Sequence, residues 1–116
     1  MSGIVIAIDA GTTGIRSAAV DQSGQIISIA YREFTQYFPQ PGWVEHDAAE
    51  IWATTLETLT ELRSKVDQPV AAIGITNQRE TVVAWSRATG EPLRVREARC
   101  SVRLGGPSAA VQPLEV

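Results

Sequence analysis

The stretch Ile4-Val5-Ile6-Ala7-Ile8-Asp9-Ala10-Gly11-Thr12-Thr13-Gly14-Ile15-Arg16 decides the fold class of this chain. A short, β-branched apolar run ends in an acid and turns through two glycines and two hydroxyls. It then re-enters an extended segment that carries a basic residue. Residues 4–8 read as a buried strand and residues 15–20 as a second, joined by a tight turn into a β-hairpin. The turn also suits an anion. Glycines let backbone N–H groups approach a phosphate, the threonine hydroxyls add donors, and Arg16 adds positive charge. Asp9 at the strand end would face a phosphate-bound Mg²⁺ through water, because Mg²⁺ sheds its hydration reluctantly. An ordinary hairpin turn shares this composition, and no Gly-Lys-Ser/Thr follows, so this is not a Walker loop.

Working outward, Asp21-Gln22-Ser23-Gly24 is a strong turn signal, and residues 25–33 form a third strand. Three strands joined by tight turns make an antiparallel meander. Pro39-Gln40-Pro41-Gly42 stops regular structure. Asp47-Ala48-Ala49-Glu50 has the spacing of a capping box, with Asp47 at the N-cap. Trp52, Leu56, Leu59, Leu62 and Val66 follow at spacings of three and four, which predicts a helix with those residues on its core face. Asp67-Gln68-Pro69 ends it. Residues 70–76 are a strand, residues 81–85 another, and residues 88–91 a turn, giving the order β-β-β-α-β-β. A helical crossover returns the fourth strand parallel to the first. The loops after Ile8 and Thr76 then lie near each other, where open α/β sheets bind ligands.

The second polar constellation is Thr76-Asn77-Gln78-Arg79-Glu80-Thr81. Arg79 offers a fork of donors and Glu80 a pair of acceptors, a combination that fits the adjacent hydroxyls of a polyol. A solvated loop with a local ion pair has the same composition. His46 reads as a surface or capping residue, Trp43 and Trp52 as core or loop anchors, and Trp85 as strand packing. The helix hydroxyls Thr54, Thr55, Thr58, Thr60 and Ser64 show no nucleophile pattern, and no His/Asp/Glu set has metal-ligand spacing.

At 116 residues and 44% hydrophobic content, the chain is one small domain or a piece of a larger one. A net charge of −3 gives no reason to expect nucleic acid or an acidic membrane surface as partner. The single cysteine, Cys100, excludes an internal disulfide and suits a reducing compartment. No apolar run is long enough to span a membrane and no signal peptide is evident, so the expected location is the cytoplasm. Residues 1–93 hold six Lys/Arg and eleven Asp/Glu, a net −5. Residues 94–116 hold four Arg and two Glu, a net +2, so the sign changes near Leu93.

Together these pieces resemble the start of the FGGY carbohydrate kinases, and within them the branch that phosphorylates glycerol. The resemblance rests on Ile8-Asp9-Ala10-Gly11-Thr12-Thr13-Gly14-Ile15-Arg16, on Pro41-Gly42-Trp43-Val44-Glu45-His46-Asp47 with Ile51-Trp52-Ala53, and on Gly74-Ile75-Thr76-Asn77-Gln78-Arg79-Glu80-Thr81. It covers about residues 3–93. It implies a ribonuclease-H-like (actin-like ATPase) α/β half-domain, incomplete as it stands, with ATP and Mg²⁺ as cofactors and glycerol as substrate. Gly11, Thr12, Thr13, Gly14 and Arg16 would then contact the nucleotide phosphates. Asp9 would be the acid nearest the metal, and Arg79 and Glu80 would hold glycerol hydroxyls. Gly14 stands where close relatives often have serine, which would replace a hydroxyl contact with a backbone one.

Residues 94–116 do not continue the pattern. Their Arg, Gly, Ala and Pro bias, with no clear helical or strand period, resembles a shifted reading frame, the alternative being a short, genuinely divergent C-terminus. The family's catalytic base and second lobe fall beyond the matching region, so the expectation is an inactive fragment with an unpaired sheet edge near residues 81–85.

Overall fold

The computed structural model describes residues 3–78 and 81–97. Strands β1 (Ile4–Ala10), β2 (Gly14–Val20) and β3 (Ile26–Glu33) form the expected antiparallel meander. The turn between β2 and β3 is held by Asp21, whose carboxylate accepts from Ser23 N–H (2.9 Å), Ser23 Oγ (2.6 Å) and Gln25 N–H (3.0 Å). Gly24 follows with φ of 83°, a left-handed conformation that favours glycine.

A three-residue strand, β4 (Val44–His46), precedes helix α1 (Ala48–Lys65). Asp47 caps the helix, accepting from Ala49 N–H (2.9 Å) and Glu50 N–H (3.3 Å). Glu50 does not complete a capping box among the described hydrogen bonds. It accepts instead from Thr35 N–H (2.8 Å) and the Tyr37 hydroxyl (3.0 Å). These bonds, that from Thr35 N–H first, hold its carboxyl below the ordinary value.

The chain crosses over α1 to β5 (Val70–Thr76), which pairs parallel with β1 and gives the sheet order β3-β2-β1-β5. Strand β6 (Thr81–Trp85) leaves this sheet. It pairs with β7 (Pro92–Glu97), and β7 pairs with β4, forming a second sheet of order β4-β7-β6. One expectation is therefore corrected: regular structure continues past Leu93, through Glu97. Thr81–Trp85 gains β7 as a partner, while its other edge pairs with no described strand, so the expected unpaired edge near residues 81–85 is present. The segment reads poorly as a strand because its alternation, Leu93-Arg94-Val95-Arg96, lasts only a few residues before the Arg, Gly, Ala and Pro bias takes over. A short strand with two partners tolerates that pattern.

The core lies between α1 and the inner face of the first sheet: Ile4, Ile6, Ile8, Ile15, Ala19, Ala30, Phe34, Leu62 and Val66. The helix face differs from the expected stripe. Trp52 and Leu56 are exposed, and Thr54, Thr55, Thr58 and Leu62 are buried. The buried hydroxyls of Thr55 and Thr58 are satisfied, Thr55 by the helix carbonyl of Ile51 at 2.8 Å and Thr58 by both helix and sheet. Thr58 Oγ1 lies 2.8 Å from Ser17 Oγ on β2 and donates to Thr55 O at 2.8 Å. Thr58 has one hydroxyl proton, so Ser17 is the donor to Thr58. Arg32 on β3 adds an ion pair to Glu61 at 2.7 Å.

His46 is also corrected: it is buried, with its ring edge-to-face against Phe34 at 5.2 Å. Trp85 is exposed, and with Trp52 it flanks an open cleft of about 430 Å³. Among the described residues no helix is long and apolar enough to cross a membrane.

Candidate functional site

The site begins at the turn between β1 and β2. Gly11 N–H donates to Gly14 O at 3.0 Å and closes it. The other three carbonyls are each tied to a donor from a different part of the chain. Gln78 Nε2 reaches Gly11 O at 2.7 Å, Gln36 Nε2 reaches Thr12 O at 2.9 Å, and Phe34 N–H reaches Thr13 O at 3.3 Å. Thr12 and Thr13 are exposed, and their N–H groups donate to no described residue. A turn whose carbonyls are held back, and whose two threonine amides donate to no described residue, has the positive dipole that an anion requires.

Gly14 is buried, and a Cβ there would stand 2.6 Å from both Arg32 O and the Tyr31 hydroxyl oxygen. The backbone of β2 passes so close to β3 that a serine would collide with main chain. The phenol of Tyr31 occupies the adjacent space.

Below the turn, the strand register sets Thr76, Asp9, Arg16 and Tyr31 in one row across β5, β1, β2 and β3. Directly paired residues share a face. Asp9, Arg16 and Tyr31 are exposed on the face opposite α1. The Arg16 guanidinium lies 5.5 Å from the centre of the Tyr31 ring, a cation–π distance that steadies the long side chain near the turn. A carboxylate, a guanidinium and a phenol thus stand side by side beneath outward-facing amides.

The parallel pairing of β1 with β5 brings the two polar loops to one end of the sheet. Thr76 pairs with Asp9, and the Gln78 bond to Gly11 spans the gap. The expected juxtaposition of the loops is therefore present. Arg79 and Glu80 lie outside the described residues. Sequence reasoning gave no role to Gln36, Gln78 or Tyr31. Gln78 was visible as part of a polar run, but its reach to Gly11 depends on strand pairing 67 residues away in sequence. Gln36 carries no signal in the sequence.

The description "FGGY family of carbohydrate kinases, N-terminal domain" matches residues 4–101. The chain belongs to the FGGY family of carbohydrate kinases. Curated members of this FGGY family similar to it include the glycerol kinase of Agathobacter rectalis, 51% identical over 96 residues, or 80% of this chain and 19% of that protein. The glycerol kinase of Malacoplasma penetrans is 54% identical over 92 residues, covering 77% and 18%. The chain thus spans about a fifth of the length of the curated relatives it matches. Among solved FGGY structures, Plasmodium falciparum glycerol kinase with ADP superposes with a TM-score of 0.72 at 32% identity, covering 81% of this chain and 20% of that one. Gluconate kinase from Lactobacillus acidophilus superposes at 0.77 with 22% identity, covering 84% and 20%, a likeness of fold. The sheet is accordingly the incomplete actin-like ATPase half-domain expected from the sequence.

Proposed function

We propose that this chain contributes the nucleotide-phosphate turn and part of the polyol site of an enzyme that transfers phosphate from ATP to glycerol, giving glycerol 3-phosphate. The observation that carries this reading is the turn itself, with every carbonyl of residues 11–14 tied back and the amides of Thr12 and Thr13 donating to no described residue. Its support in sequence is the similarity to glycerol kinases at about half identity.

MgATP fits the residues present. Gly11, Thr12, Thr13 and Gly14 supply backbone and hydroxyl donors, Arg16 supplies charge, and Asp9 supplies a carboxylate for the metal's water shell. When bound, MgATP supplies the transferable phosphoryl group. The chain's own contribution is to bind and orient the phosphates and, through Arg79 and Glu80, to hold the hydroxyls of the acceptor. Phosphoryl transfer needs charge neutralisation and positioning from both sides of the phosphate. The turn residues Gly11, Thr12, Thr13, Gly14 and Arg16 supply one side of that set, so the reading assigns binding to this chain and no turnover by it alone. The expected setting is the cytoplasm, with no nucleic acid or membrane as partner.

Calorimetric titration of the 116-residue chain with MgADP and with glycerol tests the assignment. Arg16→Ala is expected to weaken MgADP binding about tenfold to a hundredfold and leave glycerol unaffected, with Glu80→Ala showing the reverse, as loss of a charge-assisted hydrogen bond entails. Tighter binding of a pentose than of glycerol would move the chain to another sugar kinase of the family. Equal losses toward both ligands in both variants would remove the case for two sites.

A further inference from the structure

The turn carbonyls need donors aimed at them, and the donor on Gly11 comes from the loop that follows β5. We propose that Gln78 is a positioning residue that holds the phosphate turn in its anion-accepting form and ties it to the start of the polyol-binding segment. The proposal rests on the reading of residues 11–14 as a phosphate site.

Three observations carry it. The Gln78 amide donates to Gly11 O at 2.7 Å, a short bond two residues beyond the Asp9–Thr76 pair, where the β1–β5 register sets the two loops side by side. Its orientation is fixed, because the Thr81 hydroxyl donates to Gln78 Oε1 at 2.5 Å and leaves only the NH₂ end to face Gly11. The bond is partly buried, so water competes for it less than at an exposed site. A rotated Gly11 peptide would turn its carbonyl toward the bound anion and repel it, and Gln78 opposes that rotation. Gln36 does the same for Thr12 from the opposite side, but from an exposed loop. In sequence, Gln78 immediately precedes Arg79 and Glu80.

The test uses the full ¹⁵N-labelled chain with Gln78→Leu, which keeps the volume and removes the donor, and Gln78→Glu, which sets a carboxylate oxygen against Gly11 O. Without ligand, the amide order parameters of residues 11–13 are expected to fall from about 0.85 toward 0.6 in Gln78→Leu. Hydrogen exchange at Gly11 should rise about fivefold to tenfold, while the amides of Ile6 and Ala19 stay unchanged. With MgADP as probe, the dissociation constant should rise about fivefold to tenfold in Gln78→Leu, and further in Gln78→Glu, as loss of one hydrogen bond and then repulsion entail. Thr81→Val, which frees the amide to flip, should shift both readouts in the same direction by less.

Unchanged order parameters and exchange in Gln78→Leu would overturn the proposal. A loosened turn with unaltered MgADP affinity would overturn it equally, because the bond would then be structural only. If the unsubstituted chain takes up no MgADP, the phosphate reading of the turn fails. The ligand-free measurements alone then decide whether Gln78 holds the turn.

Discussion

Strands β1 and β5 lie side by side in parallel register, each seven residues long and mostly apolar, yet they occupy different environments. Ile6 and Ile8 on β1 are 2% and 5% exposed, whereas their direct partners Ile73 and Ile75 are 54% and 73% exposed. The four side chains project from the same face of one sheet. The difference is the reach of α1, which lies mainly across β2 and β3 and only touches β1. No described strand pairs with the outer edge of β5. Burial in a sheet is thus conferred by what covers it. The same difference organises the site, because β1 is fixed by packing and its polar end is tied to the less covered β5 through Gln78.

The largest contrast is expected from paired truncations. Ile6→Ala should cost about 2–5 kcal/mol of unfolding free energy, as for a buried aliphatic side chain, and Ile73→Ala about 1 kcal/mol or less. Urea denaturation of both variants measures this, and equal losses would mean that β5 is as well covered as β1.

A smaller effect sharpens why the covered side is rigid. Thr58→Val keeps the shape of the side chain and removes the acceptor for Ser17, leaving a buried hydroxyl without a partner. The expected loss is about 1–3 kcal/mol. A double-mutant cycle with Ser17→Ala should recover part of it, because the second change removes the orphaned group.

Smaller again is the helix cap. Asp47→Ala removes the acceptor for two helix amides and should lower stability by about 1 kcal/mol, read from the thermal midpoint. An unchanged midpoint would mean that the helix start is held by packing of β4.

The last effect is in pH. Glu50 binds its proton less readily when folded than when unfolded, so it adds stability above the ordinary carboxyl value of 4.5. That contribution is lost as pH falls from there through its lower folded value. Because Glu50 holds Thr35 and Tyr37 on either side of Gln36, acid should loosen the turn at Thr12 first. Glu50→Gln should flatten this dependence. Amide exchange at residues 12 and 13 followed between pH 6 and pH 3 checks it.

Much of the first sheet was legible because its signals are local. The β-branched run before Asp9, the Asp21–Gly24 turn and the Asp47 cap each act within a few residues, and the crossover rule then fixed the parallel pairing of β5. What escaped the sequence depends on contacts far apart along the chain. The apolar stripe of α1 predicted Trp52 and Leu56 as core, but the sheet beneath offers Ser17 and a crowded set of small residues. Three threonines and Leu62 fit there instead. Strands β7 and β4 are hidden in the sequence because each is short, six and three residues, and gains its partners from distant parts of the chain. At the site, Asp9, Gly11, Thr12, Thr13, Gly14 and Arg16 were readable as a turn chemistry. The glutamines that hold the turn, and the phenol beside Gly14, were not, since each acts across strands.

The central claim is that the β1–β2 turn receives nucleotide phosphate. Titrating the ¹⁵N-labelled 116-residue chain with MgADP, and following amide shifts residue by residue, tests it most directly. Saturable shifts are expected at residues 11–16, largest at Thr12 and Thr13, and lost in Arg16→Ala. Saturable shifts centred instead on the Trp52 and Trp85 cleft, or none at all, would contradict it.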